Sequence, residues 1–234
     1  MVDFHTHILP QMDDGSKDVQ QSLEMLRAYA GQNVDTIVMT PHFCRERESV
    51  ECFLRRREAS YLHLQRVISG EEGLSTILLG SEVRFYDGIS RTEEIDQLCI
   101  GESRCLLLEM PFEKWNWRII NEVNRLLLNK RFIVILAHIE QYLMYQKSES
   151  DFHDLIEMGI VFQINTLNFK KHFSSRIVLK LLKIGSCFVL GTDCHNTTDR
   201  RPEFDWASNL ISTKLGNEKL HDIYILSKSL LGIG

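Results

Sequence analysis

His5 and His7 stand one residue apart, just after Met1-Val2-Asp3-Phe4. Side chains alternate across a strand, so two imidazoles at this spacing point the same way and can grip one ion. Further ionisable residues recur downstream: Asp13-Asp14-Gly15, Thr40-Pro41-His42, Gly80-Ser81-Glu82, Leu108-Glu109-Met110-Pro111, Leu136-Ala137-His138-Ile139-Glu140 and Gly191-Thr192-Asp193-Cys194-His195. Any one histidine after an apolar run is more often a hydrogen-bonded core residue than a ligand. The repetition changes that reading. So many carboxylates and imidazoles gathered without a cation would leave buried charges unpaired, at several kcal/mol each. A polynuclear metal site follows. Its donors are nitrogen and oxygen with no thiolate required, which suits Mn²⁺, Fe²⁺, Zn²⁺ or Mg²⁺. Metals bridged by a carboxylate suit phosphate-ester hydrolysis, because they acidify a bound water and clamp the phosphoryl oxygens.

These residues need elements that bring them together. Short apolar runs at Val2–Ile8, Asp35–Thr40, Thr76–Glu82, Cys105–Met110, Ile133–His138, Ile160–Asn165 and Cys187–Thr192 read as strands. Helical patterns fall near 17–31, 49–69, 117–130, 150–158, 174–184, 203–213 and 217–230. In 174–184, Ile177, Leu181 and Ile184 form an apolar stripe, Ser174 or Ser175 can cap the start, and Gly185 can end it. Continuous apolar strands alternating with helices predict an α/β fold with a parallel sheet covered on both faces. Seven strands in this length suit a β/α barrel better than an open sheet. All but one of the runs end in a metal-capable residue, and in a parallel barrel those ends meet on one rim. No linker, repeat or low-complexity segment divides the chain, so residues 1–234 read as a single domain.

Composition narrows the class. At 234 residues, 44% hydrophobic and 25% charged, the chain is long enough for a sizeable core without staples. A net charge of −5 argues against a general nucleic-acid binder. No apolar run approaches a membrane span, and the start carries no basic region followed by an apolar stretch. The six cysteines show no Cys-x-x-Cys pair and read as reduced thiols, so a cytoplasmic location is expected.

The signature His5-Thr6-His7, Asp13-Asp14-Gly15, Thr40-Pro41-His42, Glu82, Glu109, His138 and Asp193-Cys194-His195 resembles the PHP (polymerase and histidinol phosphatase) family of metal-dependent phosphoesterases. The short chain and the run Asp3-Phe4-His5-Thr6-His7-Ile8-Leu9-Pro10 most resemble its manganese-dependent bacterial protein-tyrosine phosphatases of capsule and exopolysaccharide loci. The resemblance implies a distorted (β/α)₇ barrel of the TIM-like PHP type. It also implies three divalent metals, foremost Mn²⁺, and hydrolysis of phosphotyrosine by a metal-activated hydroxide. The implied partner is a bacterial tyrosine kinase, dephosphorylated on a tyrosine-rich tail; homo-oligomerisation is left open.

By matched motif, His5, His7, Glu82 and Asp193 would hold the first metal. Glu82 would bridge to a second, completed by Glu109 and His138, and Asp14, His42 and His195 would hold the third. Asp13 could orient His42 or cap the next helix, and Glu140 is a candidate for steadying the ligands from behind. Arg200 or Arg201 matches the family's phosphate-facing arginine after the last strand. Two departures stand out: Gln11 replaces a usual glycine, and Gln141 replaces a usual arginine. Substrate-binding residues are not assigned by the resemblance.

Other features compete for attention. Cys194 to Arg200 has the Cys-x₅-Arg spacing of thiol-dependent tyrosine phosphatases, but Asp193 and Asp199 would raise the thiol pKa and repel phosphate. Arg55-Arg56-Arg57, interleaved with Glu46, Glu48, Glu51 and Glu58, reads as a solvated helix face. Phe85, Tyr86, Trp115 and Trp117 follow strands near the presumed rim and default to packing. No function is assigned to His63, His153, His172 or His221. A small-molecule phosphatase of the histidinol-phosphate type is the alternative enzyme, disfavoured by the short chain. A non-catalytic PHP scaffold is disfavoured because every expected ligand is present.

Overall fold

The structure, a computed structural model, describes residues 1–146, 154–185 and 187–233. Its strands are β1 (Val2–Thr6), β2 (Thr36–Met39), β3 (His42–Phe43), β4 (Thr76–Leu79), β5 (Glu82–Arg84), β6 (Cys105–Glu109), β7 (Ile133–Leu136), β8 (Val161–Asn165) and β9 (Phe188–Gly191). Every pairing is parallel, in the orders β1-β2-β4 and β3-β5-β6-β7-β8-β9. Only Thr40-Pro41 separates β2 from β3, and only Gly80-Ser81 separates β4 from β5. Backbone bonds bridge both breaks, Gly80 N to Met39 O at 2.9 Å and Glu82 N to Pro41 O at 3.1 Å. The two sheets are therefore seven successive staves, matching the seven apolar runs of the sequence. Asp193 N donates to His5 O at 2.7 Å and His7 N to Cys194 O at 2.9 Å, which joins the last stave to the first.

β1, β2, β8 and β9 are buried on both faces, which is why they read as near-continuous apolar runs, while β4 is partly exposed. Inside the ring, Phe4, Val38, Leu107, Ile135, Val161 and Val189 form one cluster. Outside it, a larger cluster ties the staves to helices through Leu26, Phe53, Val123 and Leu182. Phe4 and His5 have opposite parity, yet both belong to the interior. A register shift between Asp3 and Thr6 reconciles them, turning His5 and His7 inward above the apolar plug.

The helices are α1 (Val19–Arg27), α2 (Val50–Ile68), α3 (Trp117–Leu128), α4 (His172–Ile184), α5 (Asp205–Leu215) and α6 (Asn217–Leu231). Asp18, Ser49 and Asn116 cap the first three with side-chain oxygens. The expected serine cap on α4 is not made. That helix starts at His172 after Lys171, and Ser175 lies inside the first turn, bonded to His172 O. Gly185 does end it. Of the helix expected near 150–158, residues 154–157 are helical, while 150–153, with His153, lie outside the described residues. Short 3₁₀ turns at Ile89–Arg91, Glu93–Leu98, Ile139–Met144 and Thr166–Phe169 fill the loops after the staves.

Candidate metal centre

All nine residues read as ligands come together at the C-terminal ends of the staves. His5 Nε2 lies 3.1 Å from Glu82 Oε2 and 3.6 Å from Asp193 Oδ1; His7 Nε2 lies 3.3 and 3.4 Å from the same atoms. His138 Nε2 sits 3.0 Å from Glu82 Oε1 and 3.8 Å from Glu109 Oε1. His42 Nδ1 approaches Glu82 Oε2 at 2.8 Å. Asp14 Oδ1 lies 3.5 Å from both His42 Nε2 and His195 Nε2, with its side chain 69% exposed. Donor atoms of His5, His7 and Asp193, of His7, His42 and His195, and of His42, Glu82 and Glu109 each lie within 4.8 Å of one another.

Three of the imidazoles have their tautomers fixed from behind. Gln163 Oε1 accepts the backbone N–H of His138 at 2.8 Å, so it must also accept from His5 Nδ1 at 3.0 Å. His7 Nδ1 donates to Asp13 Oδ2 at 2.8 Å, and His195 Nδ1 to the carbonyl of Asp193 at 3.0 Å. In the neutral, metal-binding form each Nε2 is thereby the lone-pair nitrogen facing the cluster. The Nε2 atoms of His5 and His7 face each other at 3.1 Å, a repulsive approach unless a cation or proton lies between them. His138 Nδ1 and His195 Nε2 are buried without a hydrogen-bond partner among the described residues. This oxygen–nitrogen set with inward lone pairs fits hard or borderline divalent metals.

The electrostatics agree with the geometry. Burial lowers the pKa of His7, but Asp13, Asp193 and Glu82 outweigh it and hold it well above its usual value. Burial opposes His138 too, yet Glu82 lifts it to about 9. Burial would raise Glu82, but His5, His138 and His42 hold it well below the carboxylate range. His195 falls to about 4 through burial and the nearby His7. Glu140 rises to about 7, chiefly through burial; its carboxylate accepts from Asn168 Nδ2 at 2.7 Å behind His138.

The backbone is strained at two of these residues. His138 (φ 33°) and Asp193 (φ 52°) both occupy the left-handed region, which a non-glycine residue adopts only at a cost of about 1–3 kcal/mol. Gly191, ending β9 two residues before Asp193, must be glycine: a Cβ there would lie 2.7 Å from His5 Cβ and 2.7 Å from Gln163 Nε2. Gln11 takes φ 59°, so this loop keeps a conformation that favours glycine, with glutamine in its place.

Asp13 accepts from His7, from His42 N at 2.9 Å and from Gly15 N at 2.9 Å, joining three pieces of the rim. It does not cap the next helix; Asp18 does. Arg200 reaches Asp193 Oδ1 with Nη2 at 2.8 Å, its side chain 39% exposed. Arg201 turns outward to Glu203 at 2.5 Å. Gln141 is exposed at the start of the turn after His138.

Several residues escaped the sequence reading. Gln163 and Asn165 form a relay across β8: Gln163 Nε2 donates to Asn165 Oδ1, and Asn165 Nδ2 to Asp193 Oδ2, both at 2.8 Å. Their signal was two amides at alternate positions of an otherwise apolar strand. Buried Asp3 accepts from Tyr29 OH at 2.7 Å and Thr192 N at 2.9 Å, tying β1 to the loop bearing Asp193. Phe112 stacks over the His138 ring, 5.9 Å away and 12° from parallel, while 44% exposed.

The competing features resolve differently. Cys194 is fully buried, and burial with Asp3 nearby pushes its thiol to about 12, so it is no nucleophile. The arginine run is only partly a solvated face. Arg56 bonds Glu48 and Met12 O, and half-buried Arg57 bonds Gly80 O and Ser81 Oγ, because both can reach loops of the rim. Trp115 is buried, Trp117 is exposed, and Tyr86 bonds Thr92 at 2.7 Å.

A parallel ring of staves with helices outside and a nitrogen–oxygen donor cluster at its C-terminal rim defines a TIM-like barrel protein of the metal-centre type. More particularly, the chain belongs to the capsular polysaccharide synthesis CpsB/CapC family, which matches residues 1–230. It is 29% identical over 222 residues to the tyrosine-protein phosphatase YwqE of Bacillus subtilis, covering 93% of this chain and 86% of that one. It is 26% identical over 234 residues to the tyrosine-protein phosphatase CpsB of Streptococcus pneumoniae, covering 96% and 95%. Its fold superposes with TM-score 0.84 on a crystal structure from work on YwqE and CpsB, described there as metal-dependent tyrosine phosphatases. That match has 24% identity and covers 99% of this chain and 94% of the other. A phosphotriesterase homology protein of Escherichia coli shares the fold more loosely, with TM-score 0.55 and 8% identity over 95% and 94% of the two chains. No helix among the described residues is long and apolar enough to cross a membrane.

Proposed function

We propose that this protein is a metal-dependent protein-tyrosine phosphatase, acting on a bacterial tyrosine kinase that regulates capsule or exopolysaccharide synthesis. The observation that carries the reading is the pair of inward-facing Nε2 lone pairs of His5 and His7, 3.1 Å apart beside Glu82, Asp193 and Arg200. His5, His7, Glu82 and Asp193 would hold one divalent ion, Glu82, Glu109 and His138 a second, and Asp14, His42 and His195 a third. Bound there, Mn²⁺ or a similar ion supplies an acidified water and neutralises phosphoryl charge.

The protein's own groups do the rest. Arg200, half-exposed beside the cluster, swings its guanidinium from Asp193 to the phosphoryl oxygens and bears charge that develops during transfer. Gln163, Asp13 and the Asp193 carbonyl hold the imidazoles in the tautomer that leaves Nε2 free. Phe112 and Phe85 line the adjoining groove, offering apolar surface to a tyrosyl ring. Phenolate leaves readily because its conjugate acid has a pKa of about 10, so no strong general acid is required. Cys194 takes no part.

The test is phosphate release from a phosphotyrosine peptide, before and after chelation and again with Mn²⁺ restored. Loss on chelation with recovery on Mn²⁺ supports the reading. Activity that survives a chelator removing all bound metal refutes the metal mechanism; inactivity with metals bound refutes the tyrosine substrate.

A further inference from the structure

Arg84 ends β5, two residues beyond Glu82, and in the sheet its register partner is Glu109. Alternate residues on a strand share a face, so Arg84 rises on the side of the stave from which Glu82 enters the cluster. It lines a cleft of about 800 Å³ with Asp14, His42 and Glu109. It also lines an adjoining groove of about 550 Å³ with Phe85, Met110 and Phe112. Its guanidinium thus stands at the junction of the two.

Of the arginines near the rim, Arg56 is engaged with Glu48, Arg57 with Gly80 O, Arg200 with Asp193 and Arg201 with Glu203, while Arg47 lines both cavities beside Arg84. Arg84 is exposed and makes no side-chain hydrogen bond or ion pair among the described residues. Its stave is the third of seven and the loop of Arg200 follows the seventh, so the two arginines approach the centre from across the ring. In the metal-loaded site the ions offset the charge of Asp14, Glu82, Glu109 and Asp193, and a guanidinium on each wall adds a planar fork that matches two phosphoryl oxygens at once.

We propose that Arg84 contacts the phosphoryl group of the substrate, gripping from the wall opposite Arg200. This rests on the reading that the site takes a phosphate monoester. Arg84 is not a ligand of the metals in this scheme, so its loss leaves metal content unchanged.

The test compares metal-loaded wild type, Arg84→Gln and Arg84→Lys, using inorganic phosphate as the probe. Phosphate affinity is read by calorimetry and as competitive inhibition, alongside kcat and KM for a phosphotyrosine peptide and metal content. Arg84→Gln should bind phosphate about 10- to 100-fold more weakly, with Arg84→Lys between it and wild type. Metal content should stay at the wild-type level. Unchanged phosphate affinity in Arg84→Gln overturns the proposal even where peptide turnover falls, since that pattern assigns Arg84 to the peptide. Metal loss in Arg84→Gln overturns it as well, and so does a wild type that binds no phosphate. If phosphate affinity falls as expected but wild type leaves phosphotyrosine untouched, Arg84 keeps its role and the tyrosine reading fails.

Discussion

Replacing Gln163 by leucine tests whether the donor cluster is held in shape from behind. The amide makes three hydrogen bonds, and a fourth carries the link onward. Its oxygen accepts from His138 N at 2.8 Å and His5 Nδ1 at 3.0 Å. Its nitrogen donates to Asn165 Oδ1 at 2.8 Å, and Asn165 passes the link to Asp193 Oδ2 at 2.8 Å. Leucine keeps most of the volume and none of the bonds. Three buried groups then lose a partner, at about 1–3 kcal/mol each, partly offset by about 1–2 kcal/mol from burying the new apolar side chain. The metal-free variant should be less stable by about 1–8 kcal/mol, read from urea unfolding.

The larger effect should fall on metal binding. Without Gln163, neither the tautomer of His5 nor the strained backbone of His138 is fixed. Loss of such an outer partner weakens metal affinity by about 10- to 100-fold. A Mn²⁺ titration followed by activity measures this directly, with excess Mn²⁺ restoring much of kcat. Wild-type Mn²⁺ affinity in Gln163→Leu, within about threefold, would refute the argument that the amide relay orients the ligands.

Other substitutions separate the roles further. Cys194→Ser should leave phosphotyrosine hydrolysis within about twofold of wild type, because the sulfur is buried behind Tyr29 and its thiol stays protonated; a large loss with metals bound would reinstate the thiol. His7→Ala or Glu82→Ala should abolish turnover and lower the bound metal measured by elemental analysis, since Glu82 is shared among His5, His42 and His138. Gly191→Ala should destabilise by about 1–3 kcal/mol through the clash with His5 and Gln163, seen as a lower urea midpoint and weaker Mn²⁺ binding.

The sequence carried the staves because strands buried on both faces leave apolar runs that need no partner to be recognised. It did not carry the breaks at Thr40-Pro41 and Gly80-Ser81, where hydrogen bonding passes between neighbours while regular strand geometry lapses. Ionisable donors were legible for a similar reason: a carboxylate or imidazole at the end of an apolar run conflicts with its surroundings unless something neutralises it. Gln163 and Asn165 carry no charge and raise no such conflict, so their role appears only when β8 is set between β7 and β9. Where Arg200 and Arg201 point also depends on tertiary contacts, because Glu203 takes the second arginine and Asp193 the first. Asp13 had two readings from sequence, and its bond to His7 came from the folding-back of the loop through Gly15.

Carboxylate neighbours favour the protonated form of several imidazoles in the metal-free cluster, so metal uptake is coupled to proton release. Burial alone would lower the pKa values of His7, His42 and His138, yet their carboxylate neighbours raise all three, His138 to about 9. A histidine raised in the folded state stabilises that state below its unfolded pKa, and this contribution is lost as pH climbs through the folded value. For His138 the window runs from about 6.5 to 9. The metal-free protein should therefore lose stability across that range. Metal affinity should move the other way, because each ligand must shed its proton before it can donate a lone pair. At neutral pH, Mn²⁺ loading should release at least one proton per chain, and affinity should rise with pH toward 9. Calorimetry in buffers of different ionisation enthalpy counts those protons. Zero release at pH 7 would show that the imidazoles are already neutral in the metal-free protein, and that the carboxylates do not hold protons among them.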